Sequence, residues 1–140
     1  MDLILRPARP EDRLECEQIF IAAQPLAYPR QREGAPGSAD FDPATREEDL
    51  WVAEASGRIR GWVAIYRPAR FIHHLYVDPG HLGQGIGQAL LTLALRYCGG
   101  AAELKCDEAN RAAQAFYRAA GWHPVDWGWA PSGPWIRFRR

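Results

Sequence analysis

The sequence predicts a mixed α/β domain built on a central sheet, and three observations carry that reading. Short runs rich in β-branched and aromatic residues recur along the chain. Two of them, 50–55 and 58–66, flank Ser56-Gly57, the spacing of a two-residue β-hairpin. A third run, Phe71 to Val77, passes through a turn and a glycine-rich loop straight into an amphipathic helix. With 140 residues, 47% of them hydrophobic, the chain is expected to form one domain over 1–140 with a sizeable core.

Taken in order, Leu3 to Arg6 reads as the first strand. Pro10-Glu-Asp then opens a helix carrying Leu14, Ile19, Phe20 and Ala23. From Gln24 to Ala44, Pro25, Pro29, Gly34, Pro36, Gly37 and Pro43 predict an irregular segment with a short helix near Pro43 to Asp49. A loop of that length suits a substrate-facing role, with Tyr28, Arg30, Arg32 and Phe41 as its contacts. Leu50 to Ala55 and Arg58 to Tyr66 are strands two and three, and Phe71 to Val77 is strand four. The helix from Gly85 to Cys98 buries Ile86, Leu90, Leu93, Ala94 and Tyr97, and Gly99-Gly100 ends it. A strand from Ala102 to Cys106 follows. Asn110 caps an alanine-rich helix that Gly121 stops. Trp122 to Val125 and Trp135 to Phe138 are the final strands, the latter alternating Ile136 and Phe138 against Arg137 and Arg139.

Seventeen basic and seventeen acidic residues give zero formal charge, so no nucleic-acid partner is expected. Apolar runs such as Ala89 to Leu95 are far short of a bilayer span, and Met1-Asp2-Leu3 lacks a basic signal-peptide start. A soluble cytoplasmic protein without a membrane partner is the expectation. Cys16, Cys98 and Cys106 are widely spaced and lack histidines in a zinc pattern, which favours reduced packing cysteines and no metal.

The loop carries the chemistry. Asp78-Pro79-Gly80 turns the chain after Val77, and Gly83, Gly85 and Gly87 leave backbone N–H groups open at the start of a helix. Those first amides have no internal partners and the helix dipole is positive there, so phosphate or pyrophosphate is the expected guest. A P-loop would need Lys and Ser/Thr after its last glycine, where Ile86, Gly87 and Gln88 stand. The dinucleotide fingerprint fits in part, through Gly83-x-Gly85 and an acid at Glu103, but Gln88 occupies its third glycine position.

Leu82-Gly-Gln-Gly85-Ile-Gly87, following a strand that ends Leu75-Tyr-Val77-Asp-Pro79, resembles the pyrophosphate loop of the GCN5-related N-acetyltransferases, Arg/Gln-x-x-Gly-x-Gly/Ala. Leu82 departs from it by replacing the usual Arg or Gln. Asn110-Arg-Ala-Ala-Gln-Ala-Phe-Tyr117-Arg-Ala-Ala-Gly121-Trp122 is similar to the family's later motif, Asn-x-x-Ala-x-x-Phe-Tyr-x-x-x-Gly-Phe. The resemblance implies the acyl-CoA N-acyltransferase fold, a mostly antiparallel twisted sheet flanked by helices. It also implies acetyl-CoA as the acyl donor and an amine, on a small molecule or a peptide, as acceptor. Leu82, Gly83, Gln84, Gly85, Ile86 and Gly87 would hold the pyrophosphate. The main chain of Leu75, Tyr76 and Val77 would pair with the pantetheine arm, while Asn110, Phe116 and Tyr117 lie beside the cofactor. Tyr117 is implied as general acid to the departing thiolate.

His73 and His74 are the first candidates for the base, since a neutral imidazole suits proton abstraction near pH 7. Strand alternation predicts one ring on each face, so at most one in the cleft. Glu54, Lys105 and water are alternatives, whereas His81 and His123 read as structural. Trp51, Trp62, Trp122, Trp127, Trp129 and Trp135 offer packing and, for some, an aromatic wall for an amine. Two other classes compete: a non-catalytic acyl-CoA-binding module, and an interaction domain that exposes its tryptophans. A homodimer is compatible with the sequence.

Overall fold

The computed structural model describes residues 2–30 and 37–140. Strands β1 (Ile4–Pro7), β2 (Asp49–Ala55), β3 (Arg58–Tyr66), β4 (Phe71–Val77), β5 (Glu103–Asp107), β6 (His123–Ala130) and β7 (Gly133–Arg139) form one sheet. Its order is β1-β2-β3-β4-β5-β7-β6. Neighbours are antiparallel except β4 and β5, which are parallel. A parallel pair needs a crossover, and helix α3 (Ile86–Tyr97) supplies it.

Helices α1 (Arg13–Ala27) and α2 (Ser38–Thr45) cover one face of the sheet, and α3 and α4 (Arg111–Ala119) the other. On the first face Phe20, Phe41, Trp62 and Tyr76 pack ring against ring, with centroids 5.3 to 6.3 Å apart. On the second, Val63, Ile65, Leu90, Leu104 and Phe138 are fully buried, each contributing about 1.5–3 kcal/mol of apolar burial. Gly61 sets the depth of that packing. A β-carbon there would lie 2.9 Å from the Tyr76 carbonyl oxygen and 3.0 Å from Ile86 Cγ2, so only glycine lets α3 close on β3.

The Ser56-Gly57 hairpin forms as its spacing demands, with positive φ at both residues (53° and 74°). The segment after Gln24 is more ordered than its prolines predict. Helix α1 continues through Pro25 to Ala27: the proline forfeits one backbone bond near the helix end, and buried Ala23 and Gln24 hold the chain there. The Gln24 amide also donates to the Phe20 carbonyl at 3.0 Å. Helix α2 forms at Ser38–Thr45 and ends before Asp49, where β2 begins. The Asp40 carboxylate accepts the Gly37 N–H at 2.8 Å, and buried Phe41 anchors the helix on the sheet. Arg32 lies outside the described residues.

Of the apolar residues on α1, Ile19, Phe20 and Ala23 are buried while Leu14 is 62% exposed. At the C-terminus, β6 runs to Ala130, well beyond Val125, and pairs with β7 along its length. Gly128 reads as a strand breaker but is a packing position. The Trp135 ring lies across it, and a β-carbon there would stand 2.2 Å from Trp135 Cζ2. At the opposite edge, Arg6 on β1 donates to Asp12 at 2.7 Å and to Glu54 at 2.9 Å, tying the entry of α1 to β2.

Candidate active site

Strands β4 and β5 pair only at Phe71–Glu103 and Ile72–Leu104 and then part. Beyond Ile72 the β5-facing edge of β4 has no partner strand among the described residues, so main-chain groups there are available to an extended ligand. The opening is a narrow cleft of about 100 Å³. His74, Leu75 and Tyr76 of β4 line one wall, and Cys106, Asn110 and Tyr117 lie opposite.

The glycine loop follows β4. Asp78 braces the turn by accepting the Gly80 N–H at 3.1 Å and contacting His81 Nδ1 at 3.2 Å, which gives His81 its structural role. Gly83 (φ 77°) and Gly85 (φ 81°) are left-handed, a conformation costly for any residue with a β-carbon. Gly85 is the N-cap of α3, and no side chain among the described residues caps that helix end, so its first amides stay available to an anion. Gly83, Gln84 and Gly85 are exposed, and Leu82 is 56% exposed. Ile86 differs from its neighbours in the motif: its side chain is buried and anchors the helix in the core. Gly87 faces α4, with a β-carbon position 3.5 Å from Phe116 Cζ.

Asn110 accepts the Ala113 N–H at 3.1 Å and so starts α4, which delivers Tyr117 to the cleft. The Tyr117 ring is buried, with centroids 5.3 Å from Phe116, 6.4 Å from Trp122 and 5.7 Å from Phe138. Burial raises its phenol pKa above the ordinary value, with smaller contributions from Cys106, Tyr76 and Tyr28. Cys106, in the same cleft, shows what that environment does to sulfur: burial pushes its thiol up to about 12.

The two histidines do not alternate as an ideal strand requires. Ala64 pairs with His74 but Ile65 pairs with Ile72, which leaves His73 as the extra residue of a β-bulge. Ile72 and Leu75 therefore share the α3 face, His74 joins Tyr76 on the α1 face, and His73 stands out between them. Both histidines line the cleft. His74 is enclosed by Phe20, Trp62 and Tyr76, and its Nε2 meets the Ala44 carbonyl at 3.1 Å. Burial pushes its pKa down to about 4, so the ring is neutral near pH 7. His73 is exposed, and its Nδ1 contacts Oε1 of Glu48, a side chain only 6% exposed.

Glu54 is committed to Arg6 at the far side of the sheet. Lys105 lines the cleft with its Nζ 4.2 Å from the Trp135 ring centre. His123 is exposed on β6. Of the expected loop contacts, Tyr28 reaches the cleft, Arg30 lies 4.0 Å from Asp107, and Phe41 is in the core. Among the tryptophans, Trp62 and Trp122 are core residues, while Trp127 and Trp129 are 60% and 80% exposed. Glu48 is the residue that sequence reasoning missed, because only the return of the chain from α2 to β2 brings it to β4 across 25 positions.

A model of the Acetyltransferase (GNAT) family matches residues 13–122, which includes both the glycine loop and the Tyr117 motif. The chain belongs to the GNAT family. A curated relative, peptidyl-lysine N-acetyltransferase YiaC of Escherichia coli (strain K12), is 34% identical over 79 residues. The match takes in 56% of this chain and 53% of YiaC, so the chain spans about half the length of that relative. Among solved structures, a GCN5-related N-acetyltransferase from Rhodopseudomonas palustris superposes with a TM-score of 0.82 at 18% identity, covering 98% of this chain and 94% of that one. Apo-form YjaB from Escherichia coli gives 0.81 at 20% identity, over 99% and 97%. PaiA N-acetyltransferase from Thermoplasma acidophilum, solved in complex with coenzyme A, gives 0.78 at 16% identity over 98% of each chain. At these identities the superpositions establish the GNAT fold.

Proposed function

We propose that this GNAT chain is an N-acetyltransferase that moves the acetyl group of acetyl-CoA to a primary amine by direct attack. One observation carries the reading: the unpaired edge of β4 and Tyr117 share one cleft, and β4 runs on into the glycine loop, whose Gly87 faces Phe116, the residue before Tyr117. The residues fit the donor. Backbone amides from Gly83 to Gly87 suit a pyrophosphate, and the exposed Leu82 removes one polar contact without closing the loop. The β4 edge at Leu75 to Val77 would pair with the pantetheine amides as an added strand does, and an amide of the same strand would polarise the thioester oxygen. Two relatives support the donor: PaiA was solved with coenzyme A, and a phosphinothricin acetyltransferase from Sinorhizobium meliloti with AcCoA. YiaC, by name a peptidyl-lysine N-acetyltransferase, supports an amine acceptor.

Within that cleft Tyr117 donates its proton to the departing sulfur, and His73 accepts a proton from the amine. His73 suits the base better than His74, whose Nδ1 is buried without a partner among the described residues and whose Nε2 is turned to the Ala44 carbonyl. The experiment is thermal unfolding with and without acetyl-CoA, followed by thiol release with a panel of amines. Stabilisation and amine-dependent thiol release are expected. Stabilisation without release on a broad panel would favour a binding module, which the loss of the polar residue at Leu82 would also suit. No stabilisation would reject the reading.

A further inference from the structure

A recess of about 460 Å³ opens where the α2–β2 turn meets the ends of β3 and β4. His73 lines both this recess and the cleft that holds Tyr117, so the two spaces meet at one side chain. Glu47, Glu48 and Tyr66 line the recess as well, with Arg46 beside them. Glu48 is unusual among these. Its side chain is 6% exposed, Oε1 is taken by His73 Nδ1, and Oε2 is buried with no hydrogen-bond partner among the described residues. A buried carboxylate oxygen without a donor is costly, and an ammonium group would satisfy it.

We infer that this recess is the acceptor subsite and that it takes an unbranched primary alkylammonium, such as a lysine side chain or the end of a free polyamine. The inference rests on the proposed acetyl transfer. Two carboxylates against one guanidinium favour a cation over an amine that carries its own carboxylate, and the Tyr66 ring adds an aromatic wall for the alkyl chain and its charge. Glu48 acts as a positioning residue. By holding His73 Nδ1–H it fixes the tautomer and leaves the Nε2 lone pair free to accept a proton.

The proton and electron balance closes on these residues. His73 Nε2 takes one proton from the ammonium, and the freed nitrogen pair forms the C–N bond. The C–S bond breaks with its electron pair on sulfur, and Tyr117 protonates that sulfur. The second amine proton returns to the Tyr117 oxygen, and His73 releases its proton to solvent. The amide, the free thiol and one proton are the products.

The test compares wild type, Glu48→Gln, Glu48→Asp and Glu47→Gln with three acceptors: 1,5-diaminopentane, Nα-acetyl-lysine amide, and an alanine-led peptide lacking lysine. Calorimetric titration with 1,5-diaminopentane gives a readout independent of turnover. Turnover of either alkylamine over the alanine peptide supports the subsite, and their ratio identifies a free or a peptide-borne source. Glu48→Gln should raise KM for the alkylamine and weaken diamine binding by about 10- to 100-fold with acetyl-CoA affinity unchanged. It should also alter the acidic limb of the pH profile, to which Arg46, Glu47, Tyr66, His73 and His74 are the neighbouring titratable groups. Glu48→Asp should recover part of both. Glu47→Gln, at an exposed position, should raise KM a few-fold in a salt-dependent way even if the buried variant folds poorly. Preference for the alanine peptide, or unchanged KM in Glu48→Gln and Glu47→Gln, overturns the subsite while leaving acetyl transfer standing. Absence of acetyl-CoA binding overturns both.

Discussion

Phe116 Cζ lies 3.5 Å from the position a β-carbon would take on Gly87, so the helix of the second motif rests against the loop of the first. The contact joins the start of α3 to α4 and places Tyr117, one residue on, beside the parted strands.

That geometry separates the loop's backbone from its side chains. A β-carbon on Gly87 would make only ordinary contact with Phe116 and Val77. Gly87→Ala should therefore leave the protein as stable or up to about 1 kcal/mol more stable. Gly85→Val puts a branched residue at φ 81° on the helix N-cap and should weaken acetyl-CoA binding far more than Leu82→Ala does. Calorimetric titration decides, and equal small losses in the two binding variants would reject the loop as the pyrophosphate site.

His74 makes stability pH-dependent. Its folded pKa of about 4 lies below the unfolded value, so this contribution is fully present above pH ~6.5. As pH falls toward 4 the unfolded chain takes up a proton that the folded ring refuses, and stability drops by on the order of 3 kcal/mol before levelling off. His74→Phe should flatten that stretch of the curve in urea unfolding followed from pH 7 to 4. An unchanged slope would mean that the ring is solvated.

Asp12 acts in a lower range. Its hydrogen bond to Arg6 holds the carboxyl below the usual carboxylate pKa, against the opposing effect of burial. This stability is present above the unfolded pKa of about 3.9 and is lost as pH falls through the folded one. Asp12→Asn leaves the Arg6 guanidinium, 13% exposed, with Glu54 alone and should cost about 3 kcal/mol at neutral pH. A loss below about 1 kcal/mol in urea unfolding would show that the network is not needed for stability.

The two histidines should differ in kinetics. His73→Ala should lower turnover and change the acidic limb of the pH–rate profile relative to wild type, because His73 stands between the recess and the cleft. His74→Ala should behave as a packing variant, losing stability through its aromatic cage while keeping the shape of the pH profile. Near wild-type rates in both would assign proton removal to water.

The two motifs were legible because each is a local device. Glycines that need positive φ, an Asn N-cap and a glycine stop are written in adjacent residues and formed where expected. Less local features were hidden. The bulge at His73 depends on the register with β3, which residues 71–77 alone do not encode. Glu48 reaches the site only through tertiary return of the chain, and Gly128 looks like a break until Trp135 is laid over it. Pro25 misled for a related reason, since burial of Ala23 and Gln24 outweighs one lost backbone bond at a helix end.

Tyr117 is proposed as a proton donor as well as a core aromatic, and Tyr117→Phe separates the two roles because it deletes one oxygen and keeps the ring against Trp122 and Phe138. In single-turnover measurements, with chemistry established as the observed step, acetyl transfer should slow by roughly 10²- to 10⁴-fold while acetyl-CoA affinity and melting temperature stay nearly unchanged. Unaltered transfer kinetics would contradict the account and leave Tyr117 a packing residue.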